Sequence, residues 1–350
     1  MRYIWRRMPV GWLFVGLVLM LVLSCFSGLL LGYLPLTVSD VWHILLYRVG
    51  LSEMLSVSPG AADAVWDLRL PRMLLSAAVG MGLTLSGIIM QAMFKNPMAD
   101  PYIMGISSGA SLGAALTVFL GIGAALGAGS IGAGAFCGAV FLSVLVALAA
   151  GWTKGKDMSY FLIFGVALSA VCGGITSVLI YLGANSSGMD VTLYWLMGSV
   201  ASAKAGPVLF LLAVVFLCFA FFATQSRILN LMLEGEDVAV PLGRSLMPFM
   251  RLYLLLNALL TGCIVMNAGL ISFVGLLVPH FVRMLTGADH RRLLPAAVLV
   301  GGIVAVWADI LGRTLIPGVD IPLGVTLALV GAPAFVVMLV RRSYRFGGDT

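Results

Sequence analysis

The amino-acid sequence predicts an all-α polytopic membrane protein with about ten transmembrane helices and with both termini in the cytoplasm. Three observations predict this fold: an apolar composition, ten apolar runs of helical length, and an uneven distribution of positive charge. Of the 350 residues, 61% are hydrophobic and 10% are charged, whereas soluble domains contain about a half and about a quarter. A soluble protein of this length has no way to bury so much apolar surface, but the hydrocarbon of a bilayer accommodates it.

The apolar runs define the elements of this fold, because a helix needs about 20 apolar residues to cross a bilayer. The first run follows a basic N-terminus but is longer than the roughly 7–15 apolar residues of a signal peptide, so we expect it to remain as a helix. The run at 270–286 is the weakest, since it is short and contains Pro279 and His280, and neighbouring protein must cover its interrupted backbone. The ten predicted spans are 10–31, 73–93, 103–123, 127–151, 159–182, 205–223, 248–267, 270–286, 294–314 and 323–341.

Positive charge divides unevenly between the two sides of this topology. With a cytoplasmic N-terminus, 15 of the 20 lysines and arginines lie on the cytoplasmic side. Cytoplasmic loops of membrane proteins carry such an excess, and adding or removing one span would scramble the division. The asymmetry therefore supports the number of spans and the orientation, and it explains the net charge of +6 without a nucleic-acid partner. The five outer cations are Arg48, Arg69, Arg72, Lys204 and Arg313.

The connections between the spans contain no segment that resembles a soluble domain, so we expect a single transmembrane domain over residues 1–350. An outer loop at 32–72 is itself half apolar, and we expect it to lie along the membrane surface. A second long connection, at 224–247, is cytoplasmic and carries acidic residues.

The sequence lacks the motifs of an enzyme. It contains no GxxxxGK[ST] phosphate-binding loop and no HExxH motif, so we expect neither ATP nor a metal cofactor on this chain. The five cysteines are dispersed in apolar runs without CxxC spacing, which indicates packing residues. Asp309 is the only carboxylate at span depth, and Arg313 follows four residues later, where the two can pair. A carrier driven by an ion gradient normally needs more buried ionisable groups than this. The sequence therefore disfavours a stand-alone secondary transporter, which is the alternative interpretation.

A set of motifs follows in order along residues 66–340. They include Leu68-Arg69-Leu70-Pro71-Arg72, Asn96-Pro97-Met98-Ala99-Asp100-Pro101, Gly105-Ile106-Ser107-Ser108-Gly109, Tyr194-Trp195-Leu196-Met197-Gly198, Pro279-His280 and Asp289-His290-Arg291. In their order and spacing they resemble the permease subunits of ABC importers for iron–siderophores, haem and vitamin B12. One such motif is weak evidence, whereas the ordered set is specific. Asp320 stands where that family usually has glutamate, a departure that concerns the closeness of the relationship and not membership.

The resemblance implies partners as well as a fold. It implies ten spans per chain, a second permease chain in a homodimer, two ATPase subunits that bind ATP and Mg, and an extracytoplasmic substrate-binding protein. The complex is expected in the bacterial cytoplasmic (inner) membrane, where substrate passes between the two permeases by alternating access. The expected cargo is a bulky metal chelate, with ferric siderophore first, then haem, then vitamin B12. No covalent chemistry is expected on this chain.

The resemblance also implies a docking site on the outside. Arg69, Arg72 and Arg313 match arginines that receive carboxylates from the binding protein. Guanidinium suits this role because it is always charged and pairs bidentately with a carboxylate. Exposed ion pairs contribute only about 0–1 kcal/mol each, so we expect these arginines mainly to steer and orient docking. The alternative is that Arg313 pairs only with Asp309 and that Arg69 and Arg72 anchor at lipid headgroups.

On the cytoplasmic side, the resemblance implies a gate and an ATPase-coupling segment. The turn Asn96-Pro97-Met98 matches the gate that closes the pathway below its cavity, with a purely structural turn as the alternative. The coupling segment matches short helices that sit in a cleft of the ATPase, with a solvated loop as the alternative. Its residues are Leu229, Asn230, Glu234, Gly235, Glu236, Ala239 and Gly243.

Overall fold

The structure of the chain is a computed structural model, and the part that it describes is helical and contains no strand. The described residues are 10–32, 34–52, 57–102, 104–123, 127, 129–152, 159–183, 188–235, 238 and 245–341. The helices are α1 (Val10–Leu30), α2 (Val38–Arg48), α3 (Pro59–Asp63), α4 (Leu70–Met93), α5 (Ile106–Leu120), α6 (Ser130–Trp152), α7 (Ser159–Leu182), α8 (Gly188–Leu196), α9 (Ala205–Thr224), α10 (Ser226–Glu234), α11 (Met247–Ala268), α12 (Val274–Thr286), α13 (His290–Thr314) and α14 (Leu323–Arg341).

Apolar helices in the described part coincide with all ten predicted spans. Seven are long and apolar enough to cross a membrane by length and composition: α1, the continuous helix Pro59–Met93, α6, α7, α9, α11 and α13. Three shorter apolar helices, α5, α12 and α14, complete the set. The prediction of an all-α polytopic membrane protein is confirmed, and except at the start of the second span the helix ends lie within four residues of the predicted ones.

The second span begins earlier than predicted. Its predicted start at Met73 follows two arginines, which hydropathy alone treats as a polar boundary. Instead, Ser58 caps α3, and the helix continues through a π-helical segment, Ala64–Arg69, into α4. The guanidinium groups of Arg69 and Arg72 are hydrogen-bonded within the protein, so the helix does not have to end at them.

The predicted outer loop at 32–72 contains the helices α2 and α3. Thr37 and Asp40 form a capping box at the start of α2, which satisfies two backbone N–H groups that would otherwise lack a partner. Ile44 of α2 is fully buried and packs against Ala62 of α3. This connection is therefore a packed outer layer of the bundle.

Helix α4 is the centre of the bundle. Twenty of its 24 residues are buried, and it packs against α9, α11, α12 and α13. Glycine allows the close approach: a Cβ on Gly80 would overlap the carbonyl oxygen of Gly301 in α13, and a Cβ on Gly87 would overlap that of Gly275 in α12. In the most apolar 18-residue stretch of each helix, 89% of the residues are buried in Pro59–Met93, against 17% in α7. Helix α7 therefore lies at the periphery of the chain.

Candidate functional site: an outer ionic cluster and a cytoplasmic helix joint

The three predicted docking arginines meet at one end of the bundle, the end that the positive-inside distribution assigns to the outside. Arg69 ends the π-helical segment, Arg72 lies in the first turn of α4, and Arg313 lies in the last turn of α13. Asp309, one turn before Arg313, and Asp320, in the connection to α14, lie beside them. Arg72, Asp309, Arg313 and Asp320 form what we call the outer ionic cluster.

Arg72 is at the centre of the outer ionic cluster because its guanidinium contacts two carboxylates. Its Nε donates to Asp309 Oδ1 at 2.9 Å and to Oδ2 at 3.2 Å. Its Nη1 and Nη2 donate to Oδ2 and Oδ1 of Asp320 at 2.7 and 2.8 Å, a bidentate geometry that makes strong hydrogen bonds. The side chains of Arg72 and Asp309 are 14% and 1% exposed, whereas that of Asp320 is 37% exposed. Asp320 is therefore the member that faces solvent.

Arg313 contacts Asp309 from the other side. Its Nε lies 3.4 Å from Asp309 Oδ2, and its Nη2 donates to the carbonyl oxygen of Gly28 near the end of α1. Arg313 is only 6% exposed. Two arginines and two aspartates balance one another in the cluster, which matters because an unpaired buried charge is strongly destabilising. The Asp309–Arg313 ion pair, predicted from the sequence as the alternative to a docking role for Arg313, is present.

Arg69 binds backbone carbonyl oxygens at the end of α1. Its Nη1 donates to the carbonyl oxygens of Leu29 at 2.6 Å and Leu30 at 3.3 Å, and its Nη2 donates to that of Leu34 at 2.8 Å. Positive charge is stabilising at a helix C-terminus, because the last carbonyls have no partner within the helix. Arg69 is 8% exposed, and its hydrogen bonds connect the end of α1 to the π-helical segment.

The structure thus brings the predicted docking arginines together but turns two of them inward. Sequence reasoning found the Asp309–Arg313 pair and missed Arg72 as the main partner of Asp309, which lies 237 positions away. The common outer location of these charges was the signal that could have found it, because opposite charges at one end of a bundle tend to pair. Hydrogen bonds from Arg72 hold the pKa of Asp320 below its usual value.

The predicted gate residues form a tight turn after the cytoplasmic end of α4. Oδ1 of Asn96 accepts a hydrogen bond from the Met98 N–H at 2.9 Å, and the Asn96 carbonyl oxygen accepts one from the Ala99 N–H at 3.0 Å. Proline suits the second position of such a turn, where Pro97 lies. Met98 is exposed, and burial raises the pKa of the neighbouring Asp100 to about 6. Asn96 and Pro97 thus shape the turn, and Met98 presents its side chain at the surface.

The predicted coupling segment is described as far as α10 and the glycine that follows it. Leu229 is fully buried, whereas Glu234 is exposed. Gly235 has a φ of 101°, a conformation that favours glycine. Nζ of Lys95, next to the gate turn, lies where a Cβ on Gly235 would be, so the end of α10 contacts the residue that precedes that turn. Three further coupling residues lie outside the described residues: Glu236, Ala239 and Gly243.

Asn230 connects α10 to the first turn of α13. Its Nδ2 donates to Asp289 Oδ1 at 2.8 Å. Its Oδ1 accepts from the His290 backbone N–H at 3.0 Å and lies 2.6 Å from His290 Nδ1. Asp289 is the N-cap of α13 and also accepts from the Arg291 N–H at 3.1 Å. The hydrogen bond from Asn230 holds the pKa of Asp289 below its usual value. Sequence reasoning assigned no role to Asp289 or His290.

One face of α7 exposes small side chains. Ala167, Ala170, Gly174 and Ser177 recur at helical spacing and are all exposed. A Cβ added to Gly174 would contact nothing within 4 Å. Small residues let membrane helices approach closely, so this face has the shape that accepts another helix.

Comparisons with known proteins agree with the motifs. A sequence profile of the FecCD transport family matches residues 19–341. The hemin transport system permease protein HmuU of Yersinia pestis is 34% identical over 348 residues, 98% of each chain. The vitamin B12 import system permease protein BtuC of Yersinia enterocolitica is 36% identical over 331 residues, 93% of this chain and 92% of that one. A solved ABC transporter of metal-chelate type, in an inward-facing conformation, superposes with a TM-score of 0.80 at 30% identity and covers 94% of this chain and 99% of its own.

Proposed function

This chain belongs to the FecCD transport family, and from that premise we propose that it imports a bulky chelate of a transition metal. It is a permease subunit of an ABC importer in the bacterial inner membrane, as its motifs predicted. In this family the permease is a transport component and the ATPase is a separate chain. The family match over residues 19–341 is the observation that carries the proposal.

The proposed cargoes are ferric siderophore, haem and vitamin B12, to be tested in that order. Two relatives are named for hemin and vitamin B12, and the similar solved structure is of metal-chelate type. All three cargoes are large. Because 20 of the 24 residues of the central helix α4 are buried, side chains of this chain occupy the middle of the described bundle. We therefore place the path between two copies of the permease.

A second copy is proposed to pack against the peripheral helix α7. Its small residues Ala167, Ala170, Gly174 and Ser177 are exposed in the single chain, and small residues are common where membrane helices meet. This face supports a homodimer, in which substrate crosses by alternating access.

The docking, coupling and gating roles are proposed for the residues that the resemblance identified. On the outside, Arg72 with its solvent-facing partner Asp320 is the accessible part of the docking surface, while the buried Arg69 and Arg313 hold the helices that position it. On the inside, α10 with Leu229, Asn230, Glu234 and Gly235, and the undescribed Glu236, Ala239 and Gly243, is proposed to meet an ATPase. The turn of Asn96, Pro97 and Met98 is proposed as the gate.

Reconstitution tests the proposal. The permease is purified with the two ATPase subunits and the binding protein from the same organism and placed in proteoliposomes. Uptake of each radiolabelled chelate is measured with ATP on the ATPase side, with an inactivated ATPase, and with a proton gradient alone. ATP-dependent uptake of one chelate supports the proposal. Uptake by the permease alone, driven by the gradient, would contradict it and favour a secondary transporter.

A further inference from the structure

Asp289 and His290 are not among the docking, coupling or gating residues proposed above, yet they bind Asn230 of α10 to the first turn of α13. We propose that Asp289 and His290 are positioning residues that hold the ATPase-facing helix α10 on the first turn of α13, so that displacement of α10 is carried along α13 to the outer ionic cluster. This inference rests on the proposed function, because it needs an ATPase that acts on α10.

The hydrogen bonds at this joint fix one orientation of the Asn230 amide. A carboxylate only accepts, so the amide Nδ2 must face Asp289, at 2.8 Å. The amide Oδ1 then faces two hydrogens of His290, the backbone N–H at 3.0 Å and the ring Nδ1–H at 2.6 Å. Reversing the amide would set like groups against each other on both sides. Asn230 is therefore specific for an acceptor at 289 and a donor at 290.

The His290 side of the joint is shielded from water, whereas Asp289 is exposed. His290 is fully buried, and so is Leu229, the neighbour of Asn230 on α10. Among the described residues, His290 Nε2 has no hydrogen-bond partner, so the imidazole is held in place through Nδ1. Because water cannot replace the lost partner of a buried group, the hydrogen bonds to His290 are the part of the joint that resists separation of α10 from α13.

Helix α13 connects this joint to the opposite side of the membrane. It is continuous over 25 residues in spite of Pro295, which corresponds to about 38 Å at about 1.5 Å per residue. Its far end carries Asp309 and Arg313, which contact Arg72 and the end of α1 in the outer ionic cluster. A shift of its first turn therefore reaches the groups that surround Arg72, the proposed docking residue.

The test uses the complete complex in proteoliposomes and measures assembly, ATP hydrolysis and uptake per ATP hydrolysed, for the chelate that wild-type complex imports. Asn230→Asp removes the donor to Asp289 and sets two carboxylates together. Asp289→Asn removes the charge but keeps an oxygen that can accept from Asn230 Nδ2 and cap α13. The exchange variant Asn230→Asp/Asp289→Asn restores one donor and one acceptor in swapped positions. Arg291→Ala, an exposed neighbour, is the matched control.

We expect Asn230→Asp to assemble and to hydrolyse ATP, but with uptake per ATP reduced about tenfold, the effect of losing one hydrogen bond to a charged group. Asp289→Asn, which keeps an acceptor, is expected to stay within about threefold of wild type. The exchange variant is expected to return to within about threefold of wild type, and Arg291→Ala to remain unchanged. His290→Leu, which keeps the backbone bond and the Asp289 contact, is expected to lose less than Asn230→Asp, and it covers the case in which Asn230→Asp fails to assemble.

Retained uptake per ATP in both Asn230→Asp and His290→Leu would overturn the inference, as would loss in the exchange variant equal to that of Asn230→Asp. These outcomes are distinct from failure of the proposed function, in which the wild-type complex itself shows no ATP-dependent uptake.

Discussion

In the outer ionic cluster, the contribution of the buried Arg72 to the free energy of unfolding can be compared with that of its exposed partner Asp320. Arg72→Met removes the guanidinium and keeps most of the aliphatic volume. Asp309, which is 1% exposed, then retains only the Arg313 Nε at 3.4 Å. Asp320→Asn instead removes a charge that is 37% exposed and leaves the Arg72–Asp309 pair in place.

The two changes should differ clearly in the free energy of unfolding. Removing one partner of a buried ion pair costs about 3–5 kcal/mol, and because Arg72 is 14% exposed we expect the lower value, about 3 kcal/mol. An exposed pair contributes about 0–1 kcal/mol, so Asp320→Asn should cost less than about 1 kcal/mol. The difference of about 2–3 kcal/mol corresponds to a roughly 30- to 150-fold change in the folded-to-unfolded ratio.

The assay is SDS-induced unfolding of the purified chain in mixed micelles, followed by circular dichroism, with Arg72→Met/Asp309→Asn as a third variant. Removing both charges relieves the uncompensated carboxylate, so this double variant should recover about 1 kcal/mol or more of the loss. Equal costs for Arg72→Met and Asp320→Asn would refute the reasoning, because they would show that burial of Asp309 does not increase its dependence on Arg72.

Three further predictions concern packing, pH and assembly. Gly87→Ala should destabilise by about 1–3 kcal/mol because the new Cβ overlaps the Gly275 carbonyl, whereas Gly173→Ala, which contacts nothing, should stay within about 0.5 kcal/mol in the same SDS titration. Since Arg72 lowers the folded-state pKa of Asp320, this carboxylate stabilises the fold above its unfolded pKa of about 4. Wild type should lose more stability than Asp320→Asn as pH falls through that lowered pKa. Parallel curves of stability against pH for the two proteins would argue against the pair. Gly174→Leu should weaken permease dimers in cross-linking, while Leu217→Ala on the exposed face of α9 should not, and equal yields would remove α7 from the interface.

The local sequence pattern was sufficient to predict the positions of the helices and the contacts between residues of the same helix. Apolar runs located the spans because lipid imposes a length on every crossing, and the spacing of Asp309 and Arg313 predicted their contact. The start of the second span was missed because hydropathy counts Arg69 as a polar boundary, although the carbonyl oxygens at the end of α1 satisfy its charge.

Contacts between distant segments were beyond sequence reasoning. Asn230 meets His290 across 60 positions, and nothing in the composition of either segment indicates which helix the other will contact. The identity of the residues was nevertheless informative. An amide beside an Asp-His pair is the chemistry of a specific hydrogen-bonded joint, and only the packing of α10 on α13 shows that the two are together.

The shielding of α4 affects how this chain enters a membrane. The three helices most enclosed by protein are not the most apolar: mean hydropathy is 1.9 for Pro59–Met93, 2.1 for His290–Thr314 and 1.8 for Met247–Ala268, against 2.6 for both Gly11–Leu30 and Ala205–Thr224. A segment inserts on its own according to its apolar character, so α1 and α9 can partition into lipid singly, whereas α4 and α11 gain from neighbours already in place. We therefore expect the lipid-exposed helices α1 and α9 to insert first and the enclosed helices α4 and α11 to insert only beside them. Glycosylation reporters on isolated segments can measure this order.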